Sequence, residues 1–255
     1  MPYVTIAGES LHYTVHDEDA PLDLVCIHGA GGDHTLWPRG LGDLASCNTY
    51  VLDLPGHGRS GGHARDSVSA YAEVVEAFVA ELGLRRVILL GHSMGGAIAL
   101  RIALDEPRWL DSLILACTGC RLRVPDETFA LYRTDPESAV ERQCHVSFSP
   151  VAPQALIDAE ATRRRDVSPD VMLRDYTACD RFDVTDELGE IAIPALVISG
   201  DIDHLTPLKY AQFLEDRIPD ARLAVVAPAG HMLPLEQPGE ITRLVSEFVG
   251  RRVDS

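Results

Sequence analysis

Positive charge is scarce in this chain: 22 Lys and Arg residues stand against 39 Asp and Glu over 255 residues, a formal net charge of −17. Such a balance repels phosphate backbones and anionic lipid surfaces, so non-specific binding to nucleic acid or to a membrane is not expected. Long apolar runs are missing too. None approaches the roughly 20 apolar residues that span a bilayer, and residues 1–10 show no basic head followed by an apolar stretch. A cytoplasmic protein is expected. Cysteine is sparse, with six residues (Cys26, Cys47, Cys117, Cys120, Cys144, Cys179) scattered through a chain long enough to fold without staples, which favours free thiols. Cys117-Thr118-Gly119-Cys120 is a lone C-x-x-C, a weak signal for zinc or for a redox dithiol. The helical His-Glu-x-x-His spacing of a zinc hydrolase is absent, so neither a catalytic metal nor another cofactor is expected.

What is present is an ordinary globular composition, 46% hydrophobic and 24% charged. At roughly 150 residues per domain the length allows one large domain or two small ones. Residues 3–6 and 11–16 alternate apolar with polar around Ala7-Gly8, the pattern of a β-hairpin at a sheet edge. Residues 22–27 form a near-continuous apolar run, as expected for a strand covered on both faces. Beyond them lie a short helix over 36–45, a strand over 50–53 and a long turn over 54–62. A helix over 68–82 is stopped by Gly83, and strand 86–90 leads into a helix over 94–105, followed by strand 113–117. This β-α alternation predicts a mainly parallel sheet with helices on both faces.

The pattern changes between residues 119 and 190. No buried strand is legible there, only amphipathic helical pieces, several opened by proline beside a capping residue: Asp135-Pro136-Glu137, Ser168-Pro169-Asp170, and Pro153. The expected domain division is therefore a core over 1–118, a helical lid over 119–190 and the rest of the core over 191–255. Two arginine sets lie in or beside the lid, Arg121 with Arg123 and Arg163 to Arg165; each either binds a substrate carboxylate or points into solvent. After Pro194 the alternation resumes with strand 195–199, helix 207–216, strand 222–227 and helix 240–249.

The chemistry is expected where strand 86–90 meets Gly91-His92-Ser93-Met94-Gly95-Gly96. A Gly-X-Ser-X-Gly turn between strand and helix lifts the serine hydroxyl clear of the sheet edge, and the following helix directs unpaired N–H groups at negative charge forming there. The loop His28-Gly29-Ala30-Gly31-Gly32 ends a neighbouring strand and leaves its backbone amides unshielded. A serine hydroxyl needs an imidazole to take its proton, and the imidazole needs a carboxylate to fix its tautomer. The loops that supply these groups are Gly200-Asp201-Ile202-Asp203 and Gly230-His231, on the same sheet edge.

Together with Asp53-Leu54-Pro55-Gly56-His57-Gly58-Arg59-Ser60, these segments resemble the α/β-hydrolase fold superfamily over nearly the whole chain, on the side of lid-bearing carboxylesterases and enol-lactonases of the 3-oxoadipate type. The resemblance implies Ser93 as nucleophile, His231 as base and an oxyanion hole made by the amides of Ala30 and Met94. It also places the acid four residues before a proline, which selects Asp203 with Pro207 and leaves Asp201 a structural loop residue. Gly29, Trp37, His92 and Met232 are then expected to line the substrate pocket, and His57 and His92 to order the loops around Ser93. The expected substrate is a small carboxylic ester or lactone, cleaved through an acyl-enzyme. A carbon-carbon bond hydrolase of the meta-cleavage type is the alternative, and a non-catalytic small-ligand binder on the same fold a second one. No signal of oligomeric state is legible.

Overall fold

The computed structural model describes residues 2–16, 19–44 and 46–253. Its centre is an eight-stranded sheet in the order β1-β2-β4-β3-β5-β6-β7-β8. The hairpin of β1 (Tyr3–Ile6) and β2 (Glu9–His16) forms one edge, turning at Ala7 and Gly8, both at positive φ. β2 pairs antiparallel with β4 (Asn48–Leu52), and from there every pairing is parallel: β4 with β3 (Asp23–Ile27), β3 with β5 (Val87–His92), β5 with β6 (Leu110–Ala116), β6 with β7 (Ala195–Gly200) and β7 with β8 (Ala221–Val226).

The continuous apolar runs are explained by burial on both faces. Val25, Ile27, Val87, Leu89, Leu113 and Leu115 project into one core, while Leu24, Cys26, Ile88, Leu90, Ile114 and Ala116 project into the other. Alternate residues thus serve opposite cores, and no polar face remains to show a period of two. Helices α1 (Val68–Glu81) and α2 (Met94–Leu104) cover the first face. Ser67 caps α1 through Ala70 N (3.2 Å), and Gly83 at φ +67° ends it.

Between β6 and β7 the chain forms four helices: α3 (Asp126–Thr134), α4 (Pro136–Ser147), α5 (Gln154–Arg165) and α6 (Pro169–Arg181). The proline signals mark three of their starts. Asp135 caps α4 through Ser138 N (3.2 Å), Ser168 caps α6 through Asp170 N (3.2 Å), and Pro153 precedes α5. The insertion has its own small core of Tyr132, Ala139, Val140, Cys144, Ala161, Met172 and Tyr176. The remaining helices are α7 (Leu208–Arg217), α8 (Leu233–Glu236) and α9 (Pro238–Val253). Among the described residues, no helix is long and apolar enough to cross a membrane.

Two expectations are corrected. The helix expected over 36–45 is instead a pair of single 3₁₀ turns, His34–Leu36 and Arg39–Leu41; the expected end, Ala45, lies outside the described residues. Pro38 falls between them without an N–H to continue a ladder, and Gly40 and Gly42 weaken helix formation beyond it. Strand β5 also runs two residues past Leu90, because Gly91 pairs with Ile27 and Leu115, and His92 with Ala116.

Candidate active site

The parallel strands deliver their carboxyl ends to one edge of the sheet. Ser93 follows β5 directly and adopts φ +53°, ψ −117°, a backbone conformation that costs a non-glycine residue roughly 1–3 kcal/mol. Hydrogen bonds hold it there: its N–H donates to Ala116 O (3.0 Å), and its carbonyl accepts from Gly96 N (2.9 Å) and Ala97 N (3.2 Å) in the first turn of α2 and from Thr118 Oγ1 (2.7 Å). The turn closes only because its neighbours lack side chains. A Cβ on Gly91 would strike the Gly95 backbone, and one on Gly95 would strike Ile27 O.

His231 lies in the loop after β8, and its Nδ1 is 2.9 Å from Asp203 Oδ2. Asp203 is buried and also accepts from Leu205 N (2.8 Å), Thr206 N (2.9 Å) and Thr206 Oγ1 (2.7 Å). Burial raises the pKa of this carboxyl, but the His231 imidazole and the donated hydrogen bonds outweigh it and hold the group down to about 2. Asp201 does not meet His231; it accepts from Ala229 N (3.0 Å) and braces the loop. With Nδ1 on Asp203, His231 has its Nε2 without a hydrogen-bond partner among the described residues.

Ser93 and His231 border one cavity of about 330 Å³, together with Gly29, Ala30, His92 and Met232. The backbone of Gly29 lies against the serine: a Cβ built there would be 3.0 Å from Ser93 Cβ. The amides of Ala30 and Met94 donate to no backbone acceptor among the described residues. Trp37 corrects the expectation made for it. It is buried behind the site, ring to ring with His92 (centroids 6.5 Å apart), and does not line the cavity. Trp37 is the extended residue that ends the first 3₁₀ turn (φ −89°, ψ 134°), and its indole packs into the second core.

The histidines brought to this edge divide by environment. His92 Nε2 donates to His231 O (2.8 Å), and burial lowers its pKa to about 3, so it is a neutral brace. His28 accepts from Leu54 N at Nε2 (3.0 Å), and burial lowers it to about 4. Burial also disfavours charge on His57, but the carboxylate of Asp175 outweighs that and raises its pKa. A further cluster joins His12, His34 and Asp53, whose potential ligand atoms all lie within 4.8 Å of one another. Here Asp53 accepts from His12 Nδ1 (2.7 Å), His34 N (2.6 Å) and Nδ1 (2.9 Å), and Arg59 N (3.0 Å), so it organises the β4 loop through hydrogen bonds.

Three residues that sequence reasoning passed over support the site. Thr206 fixes Asp203, and its signal was the Asp-x-x-Thr spacing of a side-chain-capped turn. Glu236 accepts from Gly230 N (2.9 Å) and Ser149 N (2.9 Å), joining the His231 loop to the helical insertion. Asp175 on α6 accepts from Gly31 N (2.8 Å), His57 Nε2 (2.8 Å) and Tyr71 Oη (2.5 Å). Its signal was an acidic residue on the apolar stripe of Met172, Tyr176 and Cys179. Gly31 O meanwhile accepts from Arg163 Nη1 (2.9 Å), so α5 and α6 grip both sides of the residue that follows Ala30. Cys117 and Cys120 are free and buried, and Cys117 Sγ lies 3.9 Å from Gly230 O.

Comparison with known proteins agrees with the fold. A family model described as "Alpha/beta hydrolase family" matches residues 24–244. The putative carbamate hydrolase RutD of Pseudomonas savastanoi pv. phaseolicola is 29% identical, over 91% of this chain and 94% of its own. A solved thermophilic esterase is 30% identical, with a TM-score of 0.85, 98% of this chain and 97% of that one being covered. The enol-lactonase of Burkholderia xenovorans LB400 shares the fold at a TM-score of 0.89 and 23% identity, over 98% of this chain and all of that one.

Proposed function

Because the chain belongs to the alpha/beta hydrolase family, we propose that this hydrolase cleaves a small carboxylic ester or lactone through Ser93, His231 and Asp203. The observation that carries the reading is the joint placement of a strained serine, an imidazole held at Nδ1 by a buried carboxylate, and the Gly29-Ala30 backbone against the serine Cβ. In this mechanism Asp203 keeps the Nδ1–H tautomer, which leaves Nε2 as the base for the Ser93 hydroxyl. Attack on the carbonyl places negative charge on its oxygen, and the amides of Ala30 and Met94 stabilise it. His231 then protonates the leaving alcohol, and water repeats the cycle on the acyl-enzyme. Helices α3 to α6 act as a lid that shapes the cavity and limits water. An esterase and an enol-lactonase among the similar structures support the ester or lactone reading, and a 2-hydroxy-6-oxononadienedioate hydrolase among the relatives keeps carbon-carbon cleavage as the alternative. Six buried free thiols suit a reducing, cytoplasmic setting.

The test pairs labelling with turnover. A fluorophosphonate should label the native chain on Ser93, and Ser93→Ala should abolish the adduct and lower ester turnover by roughly 10⁶. Absence of an adduct, or turnover retained in Ser93→Ala, would remove the serine from the reaction. A meta-cleavage dienone assayed beside p-nitrophenyl esters separates the two hydrolytic chemistries.

A further inference from the structure

Within this acidic protein, one wall of the cavity that holds Ser93 is basic and under-satisfied. Arg164 on α5 borders the cavity and is only 6% exposed. Burial opposes its charge, but Glu160 outweighs that and keeps the guanidinium protonated. Glu160 is shared, however. It accepts from Arg164 Nε (2.7 Å) and also from Arg163 Nε (2.8 Å) and Nη2 (2.6 Å). Arg163 has further acceptors in Gly31 O and Asp33, whereas the Nη2 of Arg164 meets only the soft sulfur of Met232 at 3.9 Å. Its Nη1 has no hydrogen-bond partner among the described residues. Two phenols share this wall: Tyr132 of α3 and Tyr176 of α6 are 2% and 7% exposed, and both feel the Arg164 charge. The two rings lie edge to face (centroids 5.5 Å apart) and close enough to each other and to Arg164 to interact, but neither hydroxyl makes a well-formed hydrogen bond among the described residues.

Two buried phenol donors without an acceptor, beside a guanidinium edge whose Nη atoms meet no protein oxygen among the described residues, are costly unless something that enters the cavity satisfies them. A guanidinium edge presents parallel N–H groups that match the two oxygens of a carboxylate, and two phenol O–H groups suit its remaining lone pairs. We propose that Arg164, Tyr132 and Tyr176 form a carboxylate subsite, so that the substrate is an ester or lactone that also carries a free carboxylate. This rests on the hydrolytic reading above and narrows it. The subsite adjoins the reacting atoms: Arg164 touches Met232, the neighbour of His231, and a Cβ on Gly31, beside Ala30, would lie 3.9 Å from its Nη1. A cavity of about 330 Å³ leaves room for only a short chain between carboxylate and scissile carbonyl.

Binding and turnover are tested separately. Calorimetric titration of the Ser93→Ala variant should find glutarate bound at least tenfold more tightly than its neutral diamide, a preference erased by a further Arg164→Gln and cut roughly tenfold by Tyr132→Phe with Tyr176→Phe. The double phenylalanine variant removes hydroxyls that make no well-formed hydrogen bond, so its Tm should not fall, which separates lost recognition from lost folding. In the native enzyme kcat/KM for monomethyl glutarate should exceed that for dimethyl glutarate by roughly 10-fold or more. If glutarate binds selectively and neither ester turns over, the subsite stands and the esterase reading fails. If both esters are cleaved without charge preference and glutarate binds no better than the diamide, the subsite is refuted.

Discussion

Removing the carboxylate of Asp175 tests whether the helical insertion holds the loop of residues 29–32, proposed above to supply an oxyanion-hole amide. Asp175 is fully buried and receives three donors from three elements: Gly31 N at 2.8 Å, His57 Nε2 at 2.8 Å and Tyr71 Oη at 2.5 Å. In Asp175→Asn the shape persists, but one terminal atom becomes an NH₂, so at least one of the three donors loses its acceptor. Removing one partner of a buried charged pair costs about 3–5 kcal/mol, and this range includes much of the cost of a newly unsatisfied donor. Gly31 adjoins Ala30, and a displacement of about 1 Å in positioning groups lowers rates by about 10²-fold, as does loss of an oxyanion donor. The expected phenotype is therefore a urea midpoint lowered by an amount equivalent to about 3–5 kcal/mol at unchanged slope, and kcat on a p-nitrophenyl ester reduced by about 10²-fold with KM changed far less. A pH readout makes the test specific. His57 has a raised pKa in the folded state, so the stability it draws from Asp175 is fully present below about 6.5 and is lost as pH rises through the elevated value. The stability deficit of the variant should thus be largest near pH 6 and smaller near pH 9. Tyr71→Phe, which removes one donor and no charge, should cost about 1 kcal/mol. An Asp175→Asn protein with native stability and native kcat would refute the reasoning.

Two further predictions follow from the site. Asp203→Asn should lower kcat by about 10⁴-fold, because the amide favours the wrong imidazole tautomer, whereas Asp201→Asn, which touches only Ala229 N, should change kcat by less than tenfold; the reverse ranking would move the acid to Asp201. Acid stability should be set by His28 and His92, which burial lowers to about 4 and about 3 from an ordinary 6.5. Between pH 6.5 and about 4 the unfolded chain binds protons that the folded one refuses, so stability falls with falling pH by about 1.4 kcal/mol per pH unit for each. Denaturation of His92→Gln across this window should give a shallower slope, and an unchanged slope would show that His92 takes up its proton in the folded state.

How much of this was legible depends on the range over which each feature is decided. The Ser93 turn could be read because its cause is local: glycine at 91, 95 and 96 beside an apolar strand. The starts of α4, α5 and α6 were legible for the same reason, through Asp135, Ser168 and Pro153. The turns after Asp33 were not, since the apolar residues at 36, 37, 41 and 44 mimic a helical stripe across Pro38. Trp37 was misplaced with them. Arg164 could be named as a candidate from sequence, but its orientation depends on Glu160, Tyr132 and Tyr176 packing from three helices.

The chain by itself determined the layered β-α order, the strained serine and the residue types that could serve it, because short-range sterics and hydrophobic period act between near neighbours. The tertiary structure alone decided which carboxylate faces His231, that Asp175 grips the loop beside Ala30, and that Arg164 borders the cavity. Those outcomes depend on where strand ends and helices far apart in sequence come to rest, and on the strong penalty against leaving buried charge and hydrogen-bonding groups without partners.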